Sequence, residues 1–339
     1  MDVAELSTVL VWGATTTYAI ALVAFALDMA RRAEVLGRAR EEARLAAEAE
    51  GVPAPRAGLL AMRRGGSVVI DRPGTVSGPG GYRPGKALSI AMSTTVLAVA
   101  LQVVGTVLRG IAAGRVPWAN LYEFTLIATL AAVVTFLALN LRRDVRFLGV
   151  LVIGLVTIAL GVGLTAFYVP AAGVEPALQS YWLVIHVSIA TIASGLFAVS
   201  AAASVLQLLK DSWENASPAL AHRRWALLDS LPSARALEAL AFRVTAVGFV
   251  LWTFTVVTGA VWAETAWARY WGWDPKEVWS FVVWVVYAAY LHARTTRGWS
   301  GRRASWFVLV GFATVVFNFT AVNLLLQGKH SYSGLTTGS

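Results

Sequence analysis

Residues 147–169 read FLGVLVIGLVTIALGVGLTAFYV, a run of 23 residues without a charged side chain. About 20 apolar residues in an α-helix are enough to span the hydrocarbon core of a bilayer. The run shows no alternation of apolar and polar residues, which a strand of a membrane barrel would need. It therefore predicts a transmembrane helix.

Seven further runs share this length and scarcity of charge. Run 119–141 carries Glu123 near one end, and run 275–293 is the weakest, because its charge-free part begins only at Val278. Together the runs predict an all-α polytopic membrane protein with about eight transmembrane helices. The predicted spans are 6–27, 87–108, 119–141, 147–169, 181–209, 244–263, 275–293 and 304–327.

The composition of the 339-residue chain agrees with this class. Hydrophobic residues make up 57% of it and charged residues only 14%, whereas an average soluble domain is roughly 25% charged. These values exclude a soluble globular domain and a disordered chain. Cysteine is absent, which excludes a disulfide, a thiolate metal site and a redox dithiol.

The lysines and arginines predict the topology. The loops that follow the odd-numbered spans hold 23 of them, and the opposite side holds five. Because membrane proteins concentrate Lys and Arg in cytoplasmic loops, we expect both termini on the outer side of the plasma membrane. Asp2 and Glu5 precede the first span without a basic segment, so we do not expect a signal peptide there.

The sequence predicts three parts along the chain. Residues 1–30 contain the first transmembrane helix, and residues 87–334 form a seven-helix core. Residues 31–86 lie between them on the cytoplasmic side. They begin with a stretch rich in Ala, Glu and Arg that extends the first helix, and continue as a flexible linker rich in Gly and Pro. We expect no chemistry from this loop.

Tryptophan is concentrated in one segment. Six of the 14 tryptophans fall within VWAETAWARYWGWDPKEVWSFVVW, residues 261–284, on the predicted outer side. One interpretation is an aromatic belt, because Trp favours membrane interfaces. The other is a platform for a large flat ligand, with Arg269 and Lys276 binding its acidic groups. The residues alone do not decide between them.

Two histidines lie near the same predicted surface. His186 is about 8 Å below the outer end of the fifth span, and His330 follows the outer end of the eighth. Two imidazoles from different helices can ligate one haem iron. His292 lies in the cytoplasmic third of the seventh span, where an ionisable group predicts a function; the alternative is snorkelling beside Arg294. We expect His222 to be a solvated loop residue.

These residues carry a family resemblance. Residues 262–279, WAETAWARYWGWDPKEVW, resemble the WWD signature of the haem-handling cytochrome c assembly proteins, most closely the CcsA/ResC type of System II. PWANLYEF at 117–124 and VNLLLQGKHSYSG at 322–334 resemble two further elements of that family. The resemblance covers about 87–334. It departs at Ala268, where the family usually has Gly, and at residues 264–265, where Asn-Glu is usual.

The resemblance implies a set of haem-binding residues. It implies axial ligation of haem b by His186 and His330 at the outer face. It implies a second, inner haem site at His292, whose partner histidine comes from a companion membrane subunit of the CcsB/ResB type. The remaining residues expected at the outer haem are Trp262, Trp267, Trp271, Trp273 and Asp274, with Arg269 and Lys276 near the propionates.

The implied function is delivery of haem across the membrane and its covalent attachment to apocytochrome c, as part of a cytochrome c synthase. Thioether bonds would join the haem vinyl groups to the cysteines of a C-x-x-C-H motif, which a thiol-reducing partner keeps reduced; no nucleic acid is expected as a partner. No catalytic side chain is implied beyond those that position haem. Asp274 precedes Pro275, and we favour a helix cap for it over catalysis.

Three alternatives stay open. A haem-delivery protein of the CcmC type, without ligation, would have about six spans. A solute transporter would show paired helix breaks near mid-membrane, and none is visible in the sequence. A haem b electron-transfer subunit would need two facing intramembrane histidines, and only His292 qualifies.

Overall fold

A computed structural model describes residues 1–49, 85–173, 178–215, 227–228 and 230–330. These residues form nine α-helices and no strand, so the predicted all-α class is confirmed. In chain order the helices are α1 (Val3–Ala49), α2 (Lys86–Ala113), α3 (Leu121–Arg142), α4 (Gly149–Ala166), α5 (Tyr181–Glu214), α6 (Ala234–Trp267), α7 (Pro275–Thr296), α8 (Arg302–Phe319) and α9 (Ala321–Leu325).

The chain is a multi-pass membrane protein. Seven of the described segments are long and apolar enough to cross a membrane; they comprise α1 to α6, and α8 together with α9. Helix α7 has 22 residues, which is long enough to span, but Lys276, Glu277 and Arg294 make it more polar than the others. The described chain therefore supplies seven or eight spans, as the sequence predicted.

Several helices end where the apolar runs do not. Helix α1 continues without a break to Ala49. Helix α6 begins at Ala234 rather than at residue 244. Ser233 caps it, because its hydroxyl oxygen accepts a hydrogen bond of 3.3 Å from the Ala236 amide. The predicted eighth span divides at Thr320 into α8 and α9. Residues 50–84, which hold nearly all of the predicted linker, and His222 lie outside the described residues.

Small side chains let the helices approach closely, as is common in membranes. A Cβ atom on Gly195 of α5 would lie 2.7 Å from the backbone of α3 at Ala131. Ser200 of α5 contacts Thr245 of α6 through their hydroxyl oxygens at 2.5 Å. A buried polar network joins α1 to the core, since the Tyr18 hydroxyl donates to Gln102 at 2.8 Å. Helix α1 thus packs as part of the bundle.

One end of the bundle, where α6 ends and α7 begins, is called here the tryptophan end. Ser7 near the start of α1 donates to the carbonyl of Gly105 near the end of α2, at 2.7 Å. The start of α3 meets the end of α8, where the Phe124 and Phe319 rings are 4.8 Å apart. The start of α1 and His330 therefore both lie at this end of the bundle.

Candidate functional site

The loop between α6 and α7, residues 268–274, has a conformation that its sequence explains. Ala268 and Trp273 both adopt positive φ angles, of 53° and 59°. Such angles cost an L-residue roughly 1–2 kcal/mol and glycine nothing comparable. Ala268 is the position at which the resembling family usually has glycine, so this departure keeps the turn at an energetic cost.

Helix α7 starts with a full capping box. The Asp274 side chain accepts from the Lys276 amide at 3.0 Å, Pro275 occupies the first turn, and Glu277 accepts from the Gly272 and Asp274 amides at 2.8 and 3.0 Å. This arrangement satisfies amides that a helix start leaves open. The predicted cap at Asp274 is present, and it fixes the tryptophan segment to α7.

His186 is held by α6. Its Nδ1 lies 2.9 Å from the carbonyl oxygen of Thr255, and a Cβ atom on Gly259 would lie 2.7 Å from its Cε1. The Trp262 ring stacks on the imidazole at 6.0 Å between centroids, with 17° between the planes. Because a carbonyl only accepts, Nδ1 carries the proton, which leaves the lone pair of the neutral ring on Nε2.

His330 is held by Asp274, although 56 residues separate them. Its Nδ1 lies 3.0 Å from one carboxylate oxygen of Asp274, and the other oxygen accepts from the Lys329 amide at 2.6 Å. The ring also meets the edges of Trp262 and Trp267, at 5.4 and 4.7 Å. An ionised carboxylate only accepts, so in the neutral form of the His330 ring Nδ1 carries the proton and Nε2 holds the lone pair.

The carboxyl group of Asp274 is ionised at neutral pH. Burial raises the pKa of Asp274, but the hydrogen bonds from His330 and from the amides of Lys276 and Lys329 outweigh this effect and lower the pKa to about 2. The side chain is buried. A fixed carboxylate behind a histidine orients the ring and makes its other nitrogen a better metal ligand.

Both histidines line one cavity between α5, α6, α7 and α8. Its empty volume, which includes the open mouth, is about 1190 Å³. Trp262, Trp271 and Lys276 line it too. Most of the remaining wall is apolar or aromatic, and its aromatic members are Trp118, Phe124, Trp252, Tyr270 and Phe319. This lining suits a largely apolar ligand with flat rings.

The other predicted residues of the tryptophan segment lie outside the cavity wall. Trp267 does not line the cavity but contacts two residues that do, Trp262 and His330, at 4.9 and 4.7 Å between ring centroids. Trp273 is 78% exposed and lies perpendicular to Trp271. Arg269 folds back onto Gly272 and donates to its carbonyl at 3.3 Å. The roles predicted for these three side chains stay predictions.

His292 is remote from this cavity. It lies near the far end of α7 with its side chain exposed. The neighbouring Arg294 forms an ion pair with the buried Glu238 of α6 and donates to the carbonyl of Trp299 at 2.9 Å. Its guanidinium also lies over the Phe242 ring. Arg294 is therefore already engaged in contacts within the chain, whereas His292 is exposed on the surface of α7.

A buried ionic network frames the cavity at the start of α3. Glu123, fully buried, pairs with Arg109 at 2.9 Å and with Arg115 at 2.7 Å. Asn120 caps α3 by accepting from the Glu123 amide. This network fixes the loop that carries Trp118, a cavity residue. The sequence element at 117–124 thus has a structural role at the cavity rim.

Sequence reasoning missed four residues that shape the cavity. Gly259 and Thr255 hold His186, while Ser280 and Asn318 line the wall formed by α7 and α8. A signal existed for the first pair, because Thr255, Gly259 and Trp262 recur at helical spacing on one face of α6. No local signal marks Ser280 and Asn318, since helix packing alone brings them together. Among the described residues, no three His, Cys, Asp or Glu side chains form a metal cluster.

Comparison of the sequence with known proteins identifies the family of this chain. Residues 118–330 match the family described as Cytochrome C assembly protein. The chain is 32% identical over 259 residues to Cytochrome c biogenesis protein CcsA of Guillardia theta, covering 73% of this chain and 86% of that protein. It is 35% identical over 250 residues to the protein of the same name from Parasynechococcus marenigrum (strain WH8102), covering 67% and 80%. The matched region contains both cavity histidines and the whole tryptophan segment, and the chain therefore belongs to the cytochrome c assembly protein family.

Proposed function

We propose that this chain binds haem b in the cavity at the tryptophan end and attaches it to apocytochrome c. The observation that carries the proposal is the pair of cavity histidines. His186 and His330 come from different parts of the chain, line the same cavity, and each has Nδ1 engaged so that Nε2 is available. A haem iron brings four equatorial nitrogens of its own and needs only axial ligands from the protein.

The aromatic wall supports the same ligand. Trp262 contacts both histidines and is almost completely buried, and Trp271 offers a second ring at the cavity. Flat rings of this size contribute large apolar contact areas to a macrocycle. Lys276 adds a cation to the wall, which suits a ligand with carboxylate groups.

The chemistry we propose is the addition of a thiol to a vinyl group. Each cysteine of a C-x-x-C-H motif on the apocytochrome adds its sulfur to one vinyl carbon and its hydrogen to the other. A carbon–sulfur bond forms and a carbon–carbon double bond becomes single, so no external oxidant or reductant is consumed. The thiols must arrive reduced, which explains the need for a thiol-reducing partner. This chain has no cysteine, and its contribution is to hold haem in register.

We further propose that the tryptophan end faces outward from the plasma membrane. The 23-to-five distribution of Lys and Arg supports this orientation, because the positive loops stay in the cytoplasm. Haem would then enter near the opposite end, where His292 lies exposed on α7. A single imidazole supplies one axial bond, so the second ligand would come from the CcsB/ResB-type companion.

The test uses histidine variants expressed with the companion subunit. We expect His186→Ala and His330→Ala each to lose the low-spin haem spectrum and the yield of holocytochrome c, and added imidazole to restore part of both by filling the vacant position. His292→Ala should lower the haem that reaches the cavity while the remaining haem keeps its spectrum. His222→Ala is the matched control, and we expect it to behave as wild type. Unchanged haem content in both cavity variants would refute the proposal.

The same experiment separates delivery from ligation. A protein of the CcmC type would load haem on its carrier without forming thioether bonds. Covalently bound haem on the apocytochrome, retained after denaturation, supports the synthase. Haem bound by the chain without any covalent product on co-expression would favour delivery alone.

A further inference from the structure

The cavity has a polar wall made by α7 and α8. It consists of Lys276 and Ser280, on the first turns of α7, and Asn318, at the end of α8. The Lys276 ammonium donates to the main-chain carbonyl of Asn318 at 2.7 Å, and the Asn318 amide donates to the Ser280 hydroxyl at 3.2 Å. The three residues are thus linked through the main chain and side chain of Asn318, and all three line the cavity.

This polar wall has a group without a partner. Asn318 is 3% exposed, and its Oδ1 atom accepts no hydrogen bond in the described structure. The oxygen and nitrogen of an amide can exchange places by rotation. Because a hydroxyl both donates and accepts, Ser280 can bond either atom. After rotation Ser280 donates to Oδ1, and the Asn318 NH₂ group takes the unpartnered place.

Lys276 also has capacity to spare. An ammonium group has three donor hydrogens, and the Asn318 carbonyl takes one. The charge of Asp274 acts on Lys276, but the Asp274 oxygens already accept from His330 and from the amides of Lys276 and Lys329. The adjacent Glu277 also lines the cavity, and its Oε2 accepts from the amides of Gly272 and Asp274. A cation in a wall that is otherwise largely apolar is stabilised by an anion that enters the cavity.

We propose that Lys276, Asn318 and Ser280 form a subsite for one carboxylate group of the ligand. Lys276 supplies the charge, the rotated Asn318 amide supplies a second hydrogen bond, and Ser280 fixes that rotation. The inference rests on the proposed function, under which the carboxylate is one propionate of haem. Arg269, the other cation expected near the propionates, is not part of this subsite, because it folds onto Gly272 outside the cavity.

The experiment compares haem b with its dimethyl ester, in which both carboxylates are blocked. Each is titrated into the purified complex with the companion subunit. Wild type should bind haem b about tenfold or more tightly than the ester, since hydrogen bonds to charged groups are among the strong ones. Lys276→Met and Asn318→Leu should lose that preference while keeping the affinity for the ester and the low-spin spectrum.

Two matched controls test the location. Lys210 is also buried and donates to a main-chain carbonyl, that of Leu228, at 2.8 Å, far from the cavity. Asn140 donates to a main-chain carbonyl at the end of α3 away from the cavity. Lys210→Met and Asn140→Leu should keep the full preference for haem b.

The outcomes separate this inference from the proposed function. Absence of haem binding in wild type would refute the proposed function itself. Normal binding, with an undiminished preference for haem b in the Lys276→Met and Asn318→Leu variants, would refute the carboxylate subsite alone. If Lys276→Met does not fold, Asn318→Leu alone tests the subsite through the same preference for haem b over the ester. Lys276→Arg, which keeps a cation at this position, should retain that preference.

Discussion

Replacing Asp274 with alanine should remove three hydrogen bonds at once. One carboxylate oxygen accepts from the Lys276 amide and from His330, each at 3.0 Å, and the other accepts from the Lys329 amide at 2.6 Å. Loss of a helix cap costs about 1 kcal/mol. Loss of the group that orients a metal-binding histidine typically costs about 10–100-fold in affinity. We expect Asp274→Ala to show both effects, in stability and in haem affinity.

Asp274→Asn separates the two roles. Asparagine caps a helix about as well as aspartate, and its oxygen can still accept from Lys276 and His330. Its NH₂ group, however, would face the Lys329 amide, a donor against a donor. The variant should therefore keep the stability of α7 and bind haem with an affinity between those of wild type and Asp274→Ala.

The assay is a haem titration followed by the Soret band, alongside thermal unfolding in detergent. Ser233→Ala is the matched control, because it removes the cap of α6 at the end away from the cavity. It should lower the unfolding temperature and leave haem affinity unchanged. If Asp274→Ala loses stability as Ser233→Ala does but binds haem with wild-type affinity, the carboxylate is only a helix cap and its role toward His330 is refuted.

Three further perturbations test other parts of the site. Gly259→Ala should displace His186, whose Cε1 would lie 2.7 Å from the new Cβ, and weaken haem binding; Gly161→Ala, with no atom within 4 Å, should not. Glu123→Gln should lower the free energy of unfolding by about 3 kcal/mol or more, because it removes the charge that pairs with the buried Arg109; equal unfolding curves would contradict this. The carboxyl pKa of Asp274 is lowered to about 2, so its contribution to stability is present above about pH 4 and lost toward pH 2; the wild-type advantage over Asp274→Ala should shrink over that range.

The helices could be predicted because their signal is local and strong. A charge-free run such as 147–169 has no other stable form in a bilayer, and α4 lies within it. The ends were harder to predict. Helix α6 begins at Ala234, outside the apolar run, since capping by Ser233 and the contacts of the first turns stabilise it there. Hydropathy reports the part of a helix that lies in lipid, and capping decides where the helix ends.

The sequence predicted several residues of the candidate site and the segments in which they lie, but not which of them contact each other. Asp274 before Pro275 indicated a helix cap, and the structure contains it. The contact between Asp274 and His330 was not predictable, because 56 residues separate them and only the packing of α7 against α8 and α9 brings them together. The same holds for Lys276 and Asn318, whose contact spans two helices.

His292 differs from the cavity histidines in its surroundings, and this difference bears on how haem would reach the cavity. Phe281 and Val285 are exposed on the same face of α7, and Val283, Tyr287 and Tyr290 are buried on the other. Helix α7 packs mainly on α8 and α6, so those helices occupy the buried face. A polar ring on the exposed face is costly in lipid. Under the proposed function, the chain that supplies the second axial ligand would also cover this face and remove that cost. His292 lies about 25 Å along α7 from the start of this helix at the cavity. The companion subunit that covers the exposed face of α7 would therefore also line the route from His292 to the cavity.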